Sequence, residues 1–286
     1  MANILLHGSK GYLGSQIIYA SSLHKKVKII NELERTSLLI SKYTLIILSL
    51  PNDSLCRNEY DKALNKFKLW KKEIKDFFID PKLKNIILVS TSHLLNKIDK
   101  KDKYLEIQIK GINFLRKLSS SYGVSFSVIY LSNVYGSLSK SLYPRTNLVL
   151  NLYFHSMVNK LPLNFKSDGS DNRDFIWIGC FTNAILRICK DRDKSLLKNS
   201  IYIGSGVKYT IREAIELMQK EFYYLNKIKI TWTKKNISNV KTNQKIKNAI
   251  HPFIPYWNIV GFQKPLCLKL GVKKWASIYN SYQVKN

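Results

Sequence analysis

Apolar and polar residues follow two different periods along the first half of the chain. Short apolar runs predict five buried strands, at residues 4–6, 26–30, 44–50, 85–90 and 125–131. Amphipathic segments between them predict helices at 15–20, 61–78 and 104–119. Strands that alternate with helices favour a parallel sheet covered on both faces. We therefore predict an α/β fold around a Rossmann-type, doubly wound parallel sheet.

The second half of the chain has shorter elements. Its patterns predict helices at 147–159, 181–189, 211–222 and 267–282, with short strands ending near 178, 206 and 233. No repeat or low-complexity linker marks a domain edge. We place a dinucleotide-binding domain at 1–155, with a return of the chain to it around 170–190. A smaller C-terminal α/β region for substrate is expected at 156–286.

A candidate anion site lies at the start of the chain. Gly8, Gly11 and Gly14 follow the first strand at a spacing of three and open the first helix. Backbone N–H groups and the positive helix end would face phosphates there. In a dinucleotide-binding fold the three glycines serve the tight turn, the close approach of the pyrophosphate and helix packing. Lys10, Tyr12 and Leu13 share this turn. The alternative is an ordinary glycine-rich turn.

The end of the second predicted strand carries an acidic residue. Glu32 lies about 20 residues beyond the glycines, where such a side chain accepts hydrogen bonds from the adenosine ribose. Glu32 would also repel a 2′-phosphate, whereas Arg35 nearby would attract one. NAD and NADP therefore both remain open, with a preference for NAD. The alternative for Glu32 is a solvated surface charge.

Composition excludes several classes of protein. The 286 residues are 45% hydrophobic and 23% charged, which is typical of globular chains. No apolar run approaches the roughly 20 residues of a membrane helix. The chain starts without a signal-peptide pattern, and its four cysteines lack metal-ligand spacing. We expect a cytoplasmic protein with reduced thiols, no bound metal and no membrane partner.

The formal net charge of +28 admits two interpretations. Such a charge can indicate binding to nucleic acid. The lysines, however, are scattered along the chain, and arginine, which proteins use to contact bases, is scarce. Abundant lysine, asparagine, isoleucine and tyrosine together indicate a base-composition bias. We do not favour a nucleic-acid partner, although the surface would attract anionic metabolites.

Five motifs occur in a characteristic order between residues 3 and 215. They are Gly8-Ser-Lys-Gly-Tyr-Leu-Gly14, Val89-Ser-Thr-Ser92, Ser132-Asn-Val-Tyr-Gly136, Arg173-Asp-Phe-Ile-Trp-Ile178 and Ile203-Gly-Ser-Gly206. In this order they resemble the extended short-chain dehydrogenase/reductase family of nucleotide-sugar epimerases, dehydratases and reductases. The resemblance implies NAD or NADP as cofactor, a nucleotide-diphosphate sugar as substrate and, often, a homodimer.

The resemblance also implies roles for individual residues. Ser92 and Tyr104 match the catalytic serine and tyrosine, and the tyrosine transfers a proton as hydride moves to or from nicotinamide. Asn133 would lie beside the nicotinamide and sugar, and Arg173 would bind the diphosphate. Further cofactor contacts are expected from three serines at strand ends: Ser49, Ser90 and Ser132.

Two of these site residues, Tyr104 and Arg173, also allow an alternative interpretation. Tyr104 could instead be an aromatic residue that packs on the sheet at the start of a helix. Arg173 could be a surface arginine paired with Asp171 or Asp174.

The chain departs from the family at the lysine that normally follows the tyrosine by one helical turn. That position is Gln108, which can hold a ribose hydroxyl but carries no charge to assist a tyrosine whose ordinary pKa is about 10. Lys110 lies six residues beyond Tyr104, about 240° round a helix of 3.6 residues per turn. A catalytically impaired member that acts as a sensor or partner subunit is therefore the alternative function.

Two further departures concern the loops. The segment between Ser92 and Tyr104 is short, which resembles the CDP-paratose and CDP-abequose synthase branch that reduces 4-keto sugars. The segment before Thr44 is also trimmed. The acidic pair expected after the arginine motif is replaced by Gly179 and Cys180.

Overall fold

The structure is a computed structural model that describes residues 2–23, 27–31, 42–95, 102–142, 145–165, 167–190, 200–222, 228–232, 253–258 and 264–280. The chain forms two compact units. Unit 1 comprises Met1–Leu131, Ala184–Ile203 and Ile246–Phe262. Unit 2 comprises Ser132–Asn183, Gly204–Lys245 and Gln263–Asn286.

Short strands and helices alternate through most of this described part. Its strands are β1 (Ala2–His7), β2 (Val27–Asn31), β3 (Tyr43–Ile47), β4 (Leu83–Thr91), β5 (Ser125–Leu131), β6 (Asn133–Tyr135), β7 (Leu163–Phe165), β8 (Asn172–Trp177), β9 (Ser200–Ile203), β10 (Lys208–Thr210), β11 (Ile230–Trp232) and β12 (Phe253–Pro255). Its α-helices are α1 (Tyr12–Ser22), α2 (Asp53–Asn58), α3 (Tyr60–Phe78), α4 (Lys103–Tyr122), α5 (Val149–Val158), α6 (Ile178–Lys190), α7 (Ile211–Glu221) and α8 (Leu268–Asn280).

Seven of these strands form the sheet of unit 1, in the order β12-β9-β5-β4-β3-β1-β2. Every neighbouring pair in this sheet is parallel. β1 lies between β2 and β3, so the strand order reverses there. Parallel sheets bind ligands at such a switch point, outside the carboxyl ends of the strands. The predicted α/β class with a central parallel sheet is confirmed.

The core of unit 1 lies between the sheet and helices α3 and α4. Apolar residues on α3 repeat at helical spacing, and its buried face presents Phe67, Trp70, Ile74 and Phe77 to the sheet. Ile107 and Leu115 of α4 are fully buried in the same cluster. Gly123 ends α4 in the left-handed conformation, with φ of 64°, and its N–H bonds to the Ser119 carbonyl.

Unit 2 contains two small sheets. β8 pairs in parallel with β6 and antiparallel with β10, while β11 pairs in parallel with β7. Large aromatic side chains fill the core of this unit, among them Tyr135, Tyr153, Phe175 and Trp275. Thr210 caps α7 through a reciprocal pair of hydrogen bonds with Glu213.

The sequence pattern located most elements to within a few residues. β5 spans the predicted residues 125–131, and α3 and α4 begin one residue earlier than expected. The pattern missed α2, which is only six residues long, and the 3₁₀ turn Ser92–Leu95. It also extended the strand at 200–206, which ends at Ile203 because Gly204–Gly206 form a loop. The proposed domain edge at 155 remains a prediction.

Candidate active site

The glycine turn after β1 has the geometry of an anion cradle. Gly8 has φ of 94°, a conformation that favours glycine, and its carbonyl accepts a hydrogen bond from Gly11. A Cβ on Gly14 would lie 2.3 Å from the Gly8 oxygen and 2.7 Å from Ser9 Cα. The first turn of α1 therefore rests directly on the loop backbone. Gly11 is the N-cap, and no side chain makes a capping hydrogen bond there.

The other predicted residues of this turn are exposed or half-buried. Lys10 is exposed, and Tyr12 and Leu13 are half-buried at the start of α1. The first turn of the helix contains no acidic residue. The positive end of α1 and a nearby lysine are thus available to attract an anion.

A partly buried hydrogen-bonded cluster lies beside the turn, where Ser49 is close to Gly8. The indole N–H of Trp70 donates to Ser49 Oγ at 3.2 Å, and this hydroxyl also bonds to Nδ1 of His7. The His7 Nε2 atom lies 3.6 Å from a carboxylate oxygen of Glu73. The Ser49 hydroxyl thus links β1 to α3, and its predicted contact with the cofactor remains a prediction.

Predicted catalytic residues follow the carboxyl end of β4. Ser92 begins the 3₁₀ turn, in which Leu94 and Leu95 are buried and Ser92 and His93 are half-buried. Two residues earlier, Ser90 Oγ donates a hydrogen bond of 2.8 Å to Oε1 of Gln108 on α4. Both side chains are buried, so this bond fixes the face of α4 that lies against β4.

A carboxylate fixes the start of the helix that carries Tyr104. Asp102 caps α4 by accepting hydrogen bonds from the N–H groups of Tyr104 and Leu105, at 3.0 and 3.2 Å. Its other oxygen pairs with Arg57 of α2 at 2.8 Å. Arg57 also bonds to Asp53 within α2. Tyr104 is half-buried in the first turn of α4 and is held through its backbone by this cap.

Lys110 is engaged on the exposed side of α4. Its ammonium lies 2.6 Å from Glu106, one turn earlier on the helix. Hydrogen bonds from Lys110 and from the Tyr60 hydroxyl lower the pKa of Glu106 to about 2. The hydrogen bond to Glu106 raises the pKa of Lys110 in turn. Lys110, the lysine six residues beyond Tyr104, is therefore paired with Glu106.

Two sequence motifs meet at Asp174 in unit 2. Its carboxylate accepts hydrogen bonds from the N–H groups of Ser205 and Gly206, at 2.8 and 2.9 Å, and from the Ser205 hydroxyl. Its main-chain oxygen accepts a bond of 3.0 Å from the amide nitrogen of Asn133. Asp174 thus orients the predicted substrate residue Asn133 and the glycine loop after β9.

Two other predicted residues of unit 2 differ in their surroundings. The Arg173 side chain is 39% exposed, and its guanidinium lies 3.7 Å from a carboxylate oxygen of Asp171. An exposed pair at this distance is weak. Ser132 is buried, and no hydrogen-bond partner for its hydroxyl exists among the described residues. A buried hydroxyl of this kind normally bonds to a water molecule or a ligand.

The structure therefore brings together part of the predicted site. It joins Gly8, Gly11 and Gly14 in one turn and Ser90 with Gln108 in one hydrogen bond. Glu32 lies outside the described residues. The ligand roles of Ser92, Tyr104, Asn133 and Arg173 remain predictions.

Sequence reasoning missed several residues that organise these positions. Asp102 could have been found, because an aspartate directly before a helical pattern is a capping signal. The partners of Asp174 and His7 have no comparable signal, since they come from distant segments.

Comparison with known proteins bears on the fold of the chain. No protein-family model matches the chain. A Methanocaldococcus jannaschii protein provisionally named UDP-glucose 4-epimerase is 25% identical over 140 residues, which are 48% of this chain and 42% of the relative. The alignment thus spans less than half of that protein.

Solved structures extend the likeness to nearly the whole chain. UDP-N-acetylglucosamine 4-epimerase from Methanobrevibacter ruminantium has a TM-score of 0.71 at 15% identity and covers 98% of this chain and 99% of its own. UDP-glucuronic acid 4-epimerase from Bacillus cereus, solved with UDP-glucuronic acid and NAD, scores 0.72 at 13% identity over the same shares. dTDP-glucose 4,6-dehydratase from Bacillus anthracis, solved with NAD, scores 0.68 at 15% identity over 99% and 98%.

These neighbours define the fold as that of Rossmann-type nucleotide-sugar epimerases and dehydratases. The chain shares the fold of these epimerases and dehydratases, and the fold implied by the resemblance of its five motifs is confirmed. Among the helices that the structure describes, none has both the length and the apolar character needed to cross a bilayer.

The substitution Gly14→Ala tests the contact between α1 and the loop. The added methyl group would meet backbone atoms of Gly8 and Ser9, so we expect a loss of about 1–3 kcal/mol in unfolding free energy. Chemical denaturation measures this loss. Gly11→Ala is the matched control, because its Cβ would meet the Gly8 oxygen at 3.3 Å, and it should cost less. Equal stability of Gly14→Ala and wild type would contradict the close packing.

Acid unfolding tests the cluster around Glu106. Because its folded pKa of about 2 lies below the ordinary 4.5, its stabilising contribution is full above pH 4.5 and disappears as the pH falls to about 2. Glu106→Gln should therefore be less stable than wild type near neutral pH, by less than about 1 kcal/mol at this surface site. The difference should vanish near pH 2.

Urea titrations at several pH values measure that difference. Lys110→Gln, which removes the partner, should reproduce most of it, and the double variant should show non-additivity. A difference between Glu106→Gln and wild type that stays constant down to pH 2 would argue against the pairing.

Proposed function

We propose that this protein is an NAD(P)-dependent enzyme that acts on a nucleotide-diphosphate sugar. Hydride transfer at the 4-position would epimerise or dehydrate the sugar, or reduce its 4-keto form. The observation that carries this proposal is the glycine turn, in which α1 rests on the backbone of Gly8 and Ser9 without an intervening side chain. Such a turn at the switch point of a parallel sheet is the usual seat of a pyrophosphate.

The residues present fit a dinucleotide. A side chain at position 14 would meet the backbone of Gly8 and Ser9, and glycine there lets α1 pack directly on the turn. The buried Ser132 hydroxyl follows the carboxyl end of β5 and has no hydrogen-bond partner in the described segments. Gly8, Gly11, Tyr12, Leu13 and Gly14 would hold the phosphates through their backbone. Ser90 and Ser132 would contact the nicotinamide half.

Proton transfer would fall to the residues after β4 and at the start of α4. When bound, nicotinamide dinucleotide supplies the acceptor and donor of the hydride. Ionised, the Tyr104 phenolate would accept the proton of the reacting sugar hydroxyl and, as the phenol, return it, while Ser92 would hold the same oxygen by a hydrogen bond. The Asp102 cap fixes the backbone from which Tyr104 projects.

Recognition of the sugar diphosphate would fall to unit 2. The guanidinium of Arg173 matches phosphate oxygens through parallel hydrogen bonds, and its weak surface pairing with Asp171 costs little to exchange. Asn133 is already oriented by Asp174 and would contact the sugar. Both roles rest on the motif resemblance together with these contacts.

Cofactor binding and turnover give the direct test. We expect the purified protein to bind NAD or NADP and to interconvert a nucleotide-diphosphate sugar, followed by the absorbance of the reduced cofactor and by product analysis. Tyr104→Phe should keep cofactor affinity and lose about 10²–10⁴-fold in kcat, because only proton transfer is removed. Absence of binding of either dinucleotide at millimolar concentration would overturn the proposal.

Arg173→Ala tests the substrate assignment. Loss of a charge-assisted bond of about 1.5–3 kcal/mol should raise the KM for the sugar nucleotide by about 10–100-fold and leave NAD affinity unchanged. Arg116→Ala, which removes an exposed arginine of α4, is the matched control and should alter neither constant. Equal effects of the two substitutions would argue against a diphosphate site at Arg173.

A further inference from the structure

Unit 2 contains a cavity of about 130 Å³ between α5, α8 and the loop that follows β6. Its lining is mainly apolar and includes the aliphatic side chains of Leu142, Val158 and Ile278. None of the described residues that line it has a role in the proposed function. An engineered apolar cavity of about 150 Å³ is large enough to bind benzene. This cavity therefore has room for one six-membered ring.

Three aromatic side chains line the cavity and pack on each other. The centroid of the Phe154 ring lies 4.4 Å from that of Trp275 and 5.2 Å from that of Tyr279, which meets it edge to face. Phe154 and Trp275 are buried. Aromatic pairs in these arrangements attract each other beyond the burial of their surface, so the rings hold defined orientations. The aromatic part of the lining is thus formed before any ligand binds.

The loop that contributes to the lining is closed by its own hydrogen bonds. The Ser137 hydroxyl donates to the Ser139 carbonyl at 2.7 Å and lies close to the Leu142 carbonyl. The N–H group of Leu142 donates to the same Ser139 carbonyl at 3.1 Å. The hydroxyls of Ser139 and Ser141 share a hydrogen bond of 2.9 Å. The serine hydroxyls are therefore engaged within the loop, and the loop is an ordered surface.

Lys140 supplies the charge at this cavity. Its ammonium lies 5.1 Å from the centroid of the Tyr279 ring, and both residues line the cavity. No aspartate or glutamate of the described segments pairs with this ammonium or lines the cavity. A binding pocket of this kind takes its affinity from apolar contact and its selectivity from a few polar groups. An apolar cavity with one exposed cation is complementary to a ligand that joins an apolar group to one negative charge.

We propose that this cavity binds a small carboxylate that carries one aromatic ring. The ring would enter among Phe154, Trp275 and Tyr279, where stacked and edge-to-face contacts are available to it. The carboxylate would pair with Lys140, which matches its single charge. This site is additional to the proposed function and does not depend on it.

Binding of phenylacetate to the full-length chain tests the proposal. Phenylacetamide is the matched neutral probe, because it has the same shape without the charge. Isothermal titration should show one phenylacetate per chain with a Kd of about 1 mM or tighter, as expected for a ligand of this size. Phenylacetamide should bind about 2–5-fold more weakly, since it loses only an exposed ion pair. Absence of phenylacetate binding at about 10 mM would overturn the proposal.

A change of salt separates the two contributions to binding. Raising the ionic strength from about 0.1 M to about 1 M shortens the screening length from about 10 Å to about 3 Å. The preference for phenylacetate over phenylacetamide should then disappear, while phenylacetamide binds as before. Loss of all phenylacetate binding at high salt would show a general attraction to the basic surface and would contradict a ring-binding cavity.

Lys140→Gln identifies the charged partner. This variant should lower the affinity for phenylacetate by about 2–5-fold and leave that for phenylacetamide unchanged. Lys273→Gln is the matched control, because it removes an exposed lysine of α8 that is not part of the cavity lining. It should alter neither affinity. Equal losses in the two variants would argue against Lys140 as the partner of the carboxylate.

Two further variants locate the ring. Val158→Phe should fill the cavity and weaken both probes by more than about tenfold, since the ring loses its buried contacts. Circular dichroism checks that this variant folds. Ile278→Ala removes volume instead of adding it, and should raise the affinity for 1-naphthylacetate several-fold relative to phenylacetate. Unchanged affinities in either folded variant would place the ring elsewhere and overturn the inference.

Discussion

Contact between the first turn of α1 and the loop before it is the constraint on which the arrangement of unit 1 depends. Gly14 allows the helix to lie on the backbone of Gly8 and Ser9, with no room for a methyl group between them. This contact sets the direction of α1 relative to β1. It also keeps the helix end close to the carboxyl edge of the sheet, where Ser49 and the ends of β3 and β4 lie. A larger residue at position 14 would move the N-terminus of α1 away from the carboxyl edge of the sheet, where its partial positive charge can stabilise an anion.

The polar groups at this edge are mostly bound to each other. His7, Ser49 and Trp70 form one chain of hydrogen bonds, and Ser90 and Gln108 form another. Such bonds fix side chains with little loss of free energy on burial, because each donor has an acceptor. A site built in this way is ordered before any ligand arrives, and the ligand meets backbone groups and a few hydroxyls.

Sequence reasoning located what depends on local pattern. The glycine spacing, the strand of β5 and the buried face of α3 follow from the periods of apolar residues and from glycine stereochemistry. The pairing of Lys110 with Glu106 was not predicted, although their spacing of four residues on a helix allows it. The bond between Ser90 and Gln108 could not be predicted, since it depends on the register of α4 against β4. Ser49 shows the same limit: its place at a strand end was clear, but its two partners come from β1 and α3.

The capping of α4 has a consequence for how this chain can vary. Asp102 holds the backbone of Tyr104 and is itself bound by Arg57 of α2. The segment after β3 is therefore linked to the helix that carries Tyr104 through the ion pair between Arg57 and Asp102. Surface connections usually accept insertions and deletions without harm. Here a change of length between residues 51 and 59 would displace Arg57 from Asp102 and so disturb the cap of the helix that carries Tyr104.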